Sequence, residues 1–283
     1  MLPRRRFPMP WRAPRCSVRP RRAASLGTAL FLAALCLGQA PAARAAEPGD
    51  YRLVGHRGDA ASWQTENTIP ALARALHFGA SAVEVDLRLT ADRRVVLMHD
   101  ATLDRTTTCS GPVAARTVRS LREHCTGVRG TPIPTLRGLL EWASHHEANL
   151  LMEIKTRGGL QWRVRDFRVV TTMVRRAGMA DRVRYLSRRP VVLRRIELAS
   201  RHNHTQYLAP GWRLALRGAG IADGVNLHAS QATRARVRLL RARGAQVLIR
   251  SSTNPVWWQR AHAAGARGLV VGDVAAYAAW RRR

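Results

Sequence analysis

Short apolar runs alternate with helically spaced segments along this chain from residue 52 to residue 271. Arg52-Leu53-Val54-Gly55 reads as a strand. Residues 68–78 then place Ile69, Leu72, Ala73 and Leu76 on one helical face, with Gly79 as the stop. Residues 82–87 alternate with period two, and Val95-Val96-Leu97-Met98 is a second apolar run. Residues 102–134 carry no strong period and read as an inserted loop. Beyond them the pattern predicts strands at 150–154, 183–186, 206–208, 224–227, 246–249 and 268–271. Helices are predicted at 136–143, 167–177, 191–199, 232–243 and 256–264.

Strand–helix alternation of this kind builds a parallel sheet with crossover helices. With about eight such units the expectation is an α/β fold, a closed (β/α)8 TIM barrel with an insertion after the second strand. An open doubly wound sheet is the alternative. No Gly-x-Gly-x-x-Gly follows an early strand, which weakens a dinucleotide-binding reading.

Residues 1–45 read differently. Arginines without any acidic residue precede an apolar run of about 15 residues, and Ala43-Arg44-Ala45 offers an A-x-A cleavage site. The run is shorter than the ~20 residues a membrane-spanning helix needs. The expectation is a signal peptide cleaved near Ala45 and a secreted catalytic domain from residue 46 to 283; a membrane anchor or a lipid-modified Cys36 is the alternative. Arg21-Arg22 leaves the export route open. No later segment is long enough to span a membrane.

Charge adds one constraint. Lys and Arg total 48 against 18 acidic residues. Without the nine arginines of residues 1–45, the remaining chain carries +21. Such a field suits an anionic substrate, an anionic surface or a cell-wall polymer. The arginines are spread along the chain, and none of the sequence patterns of nucleic-acid binding is present, so no nucleic-acid partner is expected. Of the four cysteines, Cys16 and Cys36 lie in the leader, which leaves Cys109 and Cys125. An even pair in an exported chain reads as a disulfide, with two free thiols as the alternative.

Polar residues cluster at the ends of the predicted strands: His56 and Arg57, Glu84 and Asp86, His99 and Asp100, Glu153 and Lys155. In a parallel barrel these ends form one mouth. Glu84 and Asp86 stand two apart on a strand and share a face. Such a pair is commonly ion-paired structure. It also suits a cation, with Glu153 as third ligand, and an all-oxygen set favours Ca²⁺ or Mg²⁺. His56 and His99 are suited to the acid and base of phosphodiester cleavage. Arg57 and Lys155 could neutralise phosphate, and Lys155 is the single lysine in a chain of 47 arginines. His145, His146, His202 and His204 read as solvated surface.

His56-Arg57-Gly58, Glu66-Asn67-Thr68, Glu84-Val85-Asp86, Leu97-Met98-His99-Asp100 with Leu103, Arg105-Thr106-Thr107, Pro134-Thr135-Leu136 and Glu153-Ile154-Lys155 closely resemble, in order and spacing, the glycerophosphodiester phosphodiesterase family. The resemblance implies a TIM barrel, a divalent cation, and hydrolysis of glycerophosphodiesters to glycerol 3-phosphate and an alcohol. It implies His56 and His99 as the acid/base pair, Glu84, Asp86 and Glu153 as metal ligands, and Arg57 and Lys155 at the phosphate. Glu66 and Asn67 would support the His56 loop, and the substrate's own glycerol hydroxyl could attack first to give a cyclic phosphate. After Lys155 the resemblance fades. Arg188 stands where the family often has an aromatic, Arg250 to Asn254 replaces a Trp-Thr-Val-Asn run, and Asp273 comes one place late. Two other expectations stay open: a related phosphodiesterase acting on lysophospholipid, sphingomyelin or wall polymer, and a barrel that binds without catalysis.

Overall fold

The computed structural model describes residues 47–60, 66–127, 130–200, 202–251 and 253–283. The expected leader and its cleavage site lie outside these residues.

Eight strands run parallel and close on themselves. They are β1 (Leu53–Gly55), β2 (Ala82–Leu89), β4 (Asn149–Ile154), β5 (Val183–Ser187), β6 (His204–Leu208), β7 (Gly224–His228), β8 (Gln246–Arg250) and β9 (Gly268–Val271). Each pairs with the next, β1 pairs with β2, and β9 returns to β1 with Leu53 opposite Leu269. The outcome is the closed barrel. A ninth strand, β3 (Val95–Leu97), runs antiparallel to β2, with Leu87 opposite Leu97 and Leu89 opposite Val95. The apolar run 95–98 is therefore the return arm of a hairpin and not a barrel stave.

The helices form in the segments between strands: α1 (Ile69–His77), α2 (Val118–His124), α3 (Leu136–His145), α4 (Val164–Arg176), α5 (Pro190–Ala199), α6 (Trp212–Gly218), α7 (Arg234–Ala242), α8 (Pro255–Ala263) and α9 (Val274–Arg281). Many starts are written in the sequence. Thr68, Thr117, Thr135, Thr233, Asn254 and Asp273 each accept a hydrogen bond from a backbone N–H of the following turn. Such caps stabilise by about 1 kcal/mol each. No helix among the described residues is long and apolar enough to cross a membrane.

β2 and β4 are buried at every position, as expected of parallel strands covered on both faces. Tyr51, Val54, Ala82, Leu151, Leu186, Leu208, Leu248 and Val270 form one cluster that plugs the barrel interior. A larger apolar layer lies between strands and helices. Because side chains alternate along a strand, Glu84 and Asp86 follow Ala82 on the inner face, and Glu153 follows Leu151. The inner lining thus turns from apolar to acidic toward the carboxyl ends of the strands.

The insertion is more than a loop. Between β3 and α3 it contains α2, and Val96, Met98, Leu103, Val113, Val118, Leu121 and Cys125 form its own small core. Cys109 and Cys125 are disulfide-bonded across a separation of 16 residues.

Candidate functional site

The chain leaves β1 through a tight turn. The His56 N–H donates to the Val271 carbonyl, which ties the turn to β9. Arg57 follows at φ 57° and Gly58 at φ 85°. A Cβ on Gly58 would lie 2.6 Å from the Ala71 carbonyl carbon, so only glycine allows α1 to approach this turn. The left-handed backbone turns the Arg57 N–H inward, where it donates to Glu84 Oε2 at 2.9 Å.

Glu84, Asp86 and Glu153 converge here. Asp86 and Glu153 are register neighbours on β2 and β4, and one oxygen from each of the three carboxylates lies within 4.8 Å of the others. All three are buried. Lys155 Nζ lies 2.8 Å from both Asp86 Oδ1 and Glu153 Oε2. Burial, then repulsion from Asp86 and Glu153, pushes the Glu84 carboxyl well above its ordinary value. Burial has the same tendency at Asp86, but Lys155 and Arg57 outweigh it and hold that carboxyl low. Glu84 Oε1 is buried and accepts no hydrogen bond from the described residues.

Three carboxylates against the cations Lys155 and Arg57 leave the cluster short of positive charge. An orphaned buried oxygen in an all-oxygen set fits a hard divalent cation.

His99 arrives from β3, the antiparallel arm, and not from a barrel strand. The residue that places it was missed in the sequence. Arg88, next after Glu84 and Asp86 on the inner face of β2, donates from Nε and Nη2 to the His99 carbonyl at 3.0 and 2.7 Å, and from Nη1 to the Arg157 carbonyl at 2.8 Å. The continued alternation 84, 86, 88 was its signal. His99 Nδ1 lies 2.7 Å from Asp100 Oδ1. A carboxylate there only accepts, so Nδ1 carries the proton and Nε2 faces away from the pair. Asp100 in turn accepts from Arg105 Nε at 2.6 Å.

Arg105 closes a bridge between the insertion and the barrel. Its Nη1 and Nη2 donate to Glu66 at 3.1 and 2.6 Å, while Arg57 Nη1 reaches both Glu66 oxygens at 3.0 Å. Burial would raise the Glu66 carboxyl, but the Arg105 and Arg57 partners hold it down. Asn67, at φ 60°, donates from Nδ2 to Asp86 Oδ2 and accepts the Asp86 N–H at Oδ1. The sequence-predicted residues of the first half are thus joined in one network.

His56 keeps 41% of its side chain exposed at the mouth, with Nε2 3.9 Å from Glu84 Oε2. Enclosure by surrounding protein, reinforced by the Arg57 charge, pushes its imidazole down to about 4. The ring is therefore neutral near pH 7 and able to accept a proton. His145, His146, His202 and His204 lie exposed on the surface. Asp273, one place late in the sequence, serves the last helix. Its carboxylate caps α9, accepting from the Ala276 N–H at 2.7 Å.

The family model for the glycerophosphoryl diester phosphodiesterase family matches residues 56–276. The chain belongs to this family. A glycerophosphodiester phosphodiesterase of Caldanaerobacter subterraneus is 36% identical over 110 residues, which are 37% of this chain and 45% of that protein. The segment matched is thus less than half of that relative. Among solved structures, a glycerophosphodiester phosphodiesterase from Agrobacterium tumefaciens superimposes with a TM-score of 0.70 at 21% identity, covering 81% of this chain and 100% of that one. An Oleispira antarctica phosphodiesterase, solved in complex with the product sn-glycerol-3-phosphate, gives a TM-score of 0.70 at 20% identity over 81% of this chain and 96% of that one. At these identities the structures speak for the barrel, and the family match speaks for descent.

Proposed function

We propose that the chain is an exported phosphodiesterase that hydrolyses glycerophosphodiesters to glycerol 3-phosphate and an alcohol, using one hard divalent cation, Ca²⁺ or Mg²⁺. The observation that carries this reading is the pairing of two differently surrounded histidines with a buried three-carboxylate cluster in which Glu84 Oε1 accepts no hydrogen bond from the described residues.

Glu84, Asp86 and Glu153 would hold the cation, which when bound stabilises charge on the phosphoryl oxygens as a Lewis acid. Lys155 and Arg57 add fixed positive charge at the same place. Neutral His56 takes the proton of the attacking hydroxyl as its oxygen bonds to phosphorus; where that hydroxyl is the glycerol's own, the cyclic phosphate so formed is then opened by water to glycerol 3-phosphate. The phosphorus–oxygen bond to the alcohol breaks, and the departing oxygen takes a proton from His99. Asp100 balances the charge of a doubly protonated His99 ring. It also fixes the ring's orientation, as a carboxylate does for the histidine of a hydrolase triad.

Export is supported by the arginine-rich leader pattern of residues 1–45 and by the Cys109–Cys125 disulfide, which suits an oxidising compartment.

The test is release of glycerol 3-phosphate from glycerophosphocholine by the purified protein, with and without EDTA. His56→Ala and His99→Ala should each lower kcat on the order of 10²–10⁴-fold. Full activity in both variants, or turnover indifferent to EDTA, would overturn the reading. For export, the secreted protein should begin near Ala46; an uncleaved chain would reject that part.

A further inference from the structure

The half of the mouth built by β5, β7 and β8 carries positive charge that the hydrolytic network does not use. Arg250 ends β8 and lies two residues beyond Leu248, which points into the barrel plug. The alternation of the strand therefore aims Arg250 at the mouth. His228 ends β7 directly opposite Arg250 in the parallel register and shares its face. Arg188 follows the end of β5, two residues beyond Leu186 of the same plug.

No described residue forms a hydrogen bond or salt bridge with the side chain of Arg188 or Arg250, and Arg250 Nε is buried without a partner. Burial and then the nearby Arg188 charge depress the Arg250 guanidinium, and Glu153 is the acidic group that opposes them. His228 Nδ1 lies 2.7 Å from the Ser230 hydroxyl oxygen. The same nitrogen accepts the Ser230 N–H at 3.2 Å, which leaves the proton on Nε2. The unpartnered, buried Arg250 Nε costs free energy until an acceptor arrives, and the exposed Arg188 beside it adds to the pull on an anion.

The scissile phosphate already has its cations in Lys155, beside Glu153, and Arg57, beside Asp86. A second anion must come from elsewhere in the substrate. We propose that Arg188, Arg250 and His228 form a second anion subsite, which takes a phosphate group carried on the alcohol side of the diester. The preferred substrate class is then a glycerophosphodiester whose alcohol is itself phosphorylated. This rests on the phosphodiesterase reading above and assigns the part of the mouth where the resemblance to the family fades.

Two measurements test it. The first compares kcat/KM for glycerophosphoglycerol and for the same diester bearing a terminal phosphate. The wild-type protein should prefer the phosphorylated diester by roughly tenfold or more, mainly through KM, and the Arg188→Ala/Arg250→Ala double variant should bring the ratio near one. Equal rates in the wild type, or a preference that survives the double variant, overturn the subsite. The second is calorimetric binding of propanediol bisphosphate against propyl phosphate, which needs no turnover. If neither diester is hydrolysed but the bisphosphate still binds about tenfold tighter in the wild type only, the subsite stands and the hydrolytic reading falls. If both diesters are hydrolysed and the two ligands bind alike, the hydrolytic reading stands and the subsite falls. A circular-dichroism melt of the double variant shows whether it is folded. If it is not, Arg188→Gln and Arg250→Gln are measured singly, and a ratio unchanged in both rejects the proposal.

Discussion

Asn67 and Asp86 hold each other twice, through Asn67 Nδ2 to Asp86 Oδ2 at 2.8 Å and through the Asp86 N–H to Asn67 Oδ1 at 2.9 Å. Both residues are buried, and the side-chain amide orients the carboxylate that also faces Lys155. Asn67→Ala removes both bonds, strands a buried N–H and places alanine at a φ that asparagine tolerates better. We expect a loss of about 2–4 kcal/mol in urea unfolding. Calcium or magnesium affinity should fall about 10–100-fold, because the residue that orients a ligand is gone. A stability loss under about 1 kcal/mol with unchanged affinity would show that Asp86 is held by other means.

Glu84 gives the cation site a proton economy of its own. Its carboxyl is pushed up by burial and by its acidic neighbours. A proton therefore competes with the cation, and apparent affinity should weaken as pH falls. Calorimetry in buffers of different ionisation enthalpy should show proton release on binding, and Glu84→Gln should abolish that release and weaken binding at least about tenfold. Undiminished release in the variant would locate the proton on another group.

Asp100 predicts an acid-sensitive step in stability. The Arg105 hydrogen bond, with a further contribution from His99, lowers its carboxyl from 3.8 to about 2 in the folded protein. A folded-state value below the unfolded one means that the unfolded chain binds the proton first. The contribution is complete above about pH 4 and is lost as pH falls toward 2. Thermal midpoints measured from pH 5 to pH 2 should drop less steeply for Asp100→Asn than for the wild type. Parallel curves would remove Asp100 from the account.

The disulfide closes a loop of 16 residues around α2. In the chain-entropy model such a closure contributes about 3 kcal/mol. Cys109→Ser/Cys125→Ser should lose roughly that much in denaturant unfolding, and the wild type under reducing conditions should match it. Because Arg105 joins the insertion to Asp100 and Glu66, the variant should also show lower kcat. An unchanged midpoint would mean that the insertion's own apolar core suffices.

The sequence carried the barrel and much of the acidic network because both obey simple periods. Glu84 and Asp86 alternate on one strand, and Glu153 sits at the matching height on its neighbour. Three features escaped for physical reasons. Val95–Leu97 is a buried apolar run, and such a run does not reveal whether its strand is parallel or antiparallel. The turn before it, with Arg93 at φ 55°, was the missing cue for a hairpin. Trp212–Gly218 and Val274–Arg281 are short helices whose arginine- or alanine-rich sequences give a weak apolar stripe. Arg88 escaped because an arginine in a strand reads as an exposed charge, whereas its guanidinium is consumed by the His99 and Arg157 carbonyls. The alternation places Arg88 on the inner face, but its partners depend on which backbone carbonyls the fold leaves unpaired.

The loop that carries His56 is fastened to the far end of the chain. Buried Asp59 accepts from Arg74 Nε on α1 at 2.8 Å and from the Val274 N–H at the start of α9 at 3.0 Å, across a separation of 215 residues. The His56 N–H reaches Val271 on β9 in the same way. Contacts of such separation form late, after most of the chain has been collected. Residues 56–59 leave the ribosome early, yet their working geometry awaits partners that are made almost last. A chain interrupted before β9 would lack both of these anchors, so the conformation of the turn that bears His56 is decided at the barrel's last seam.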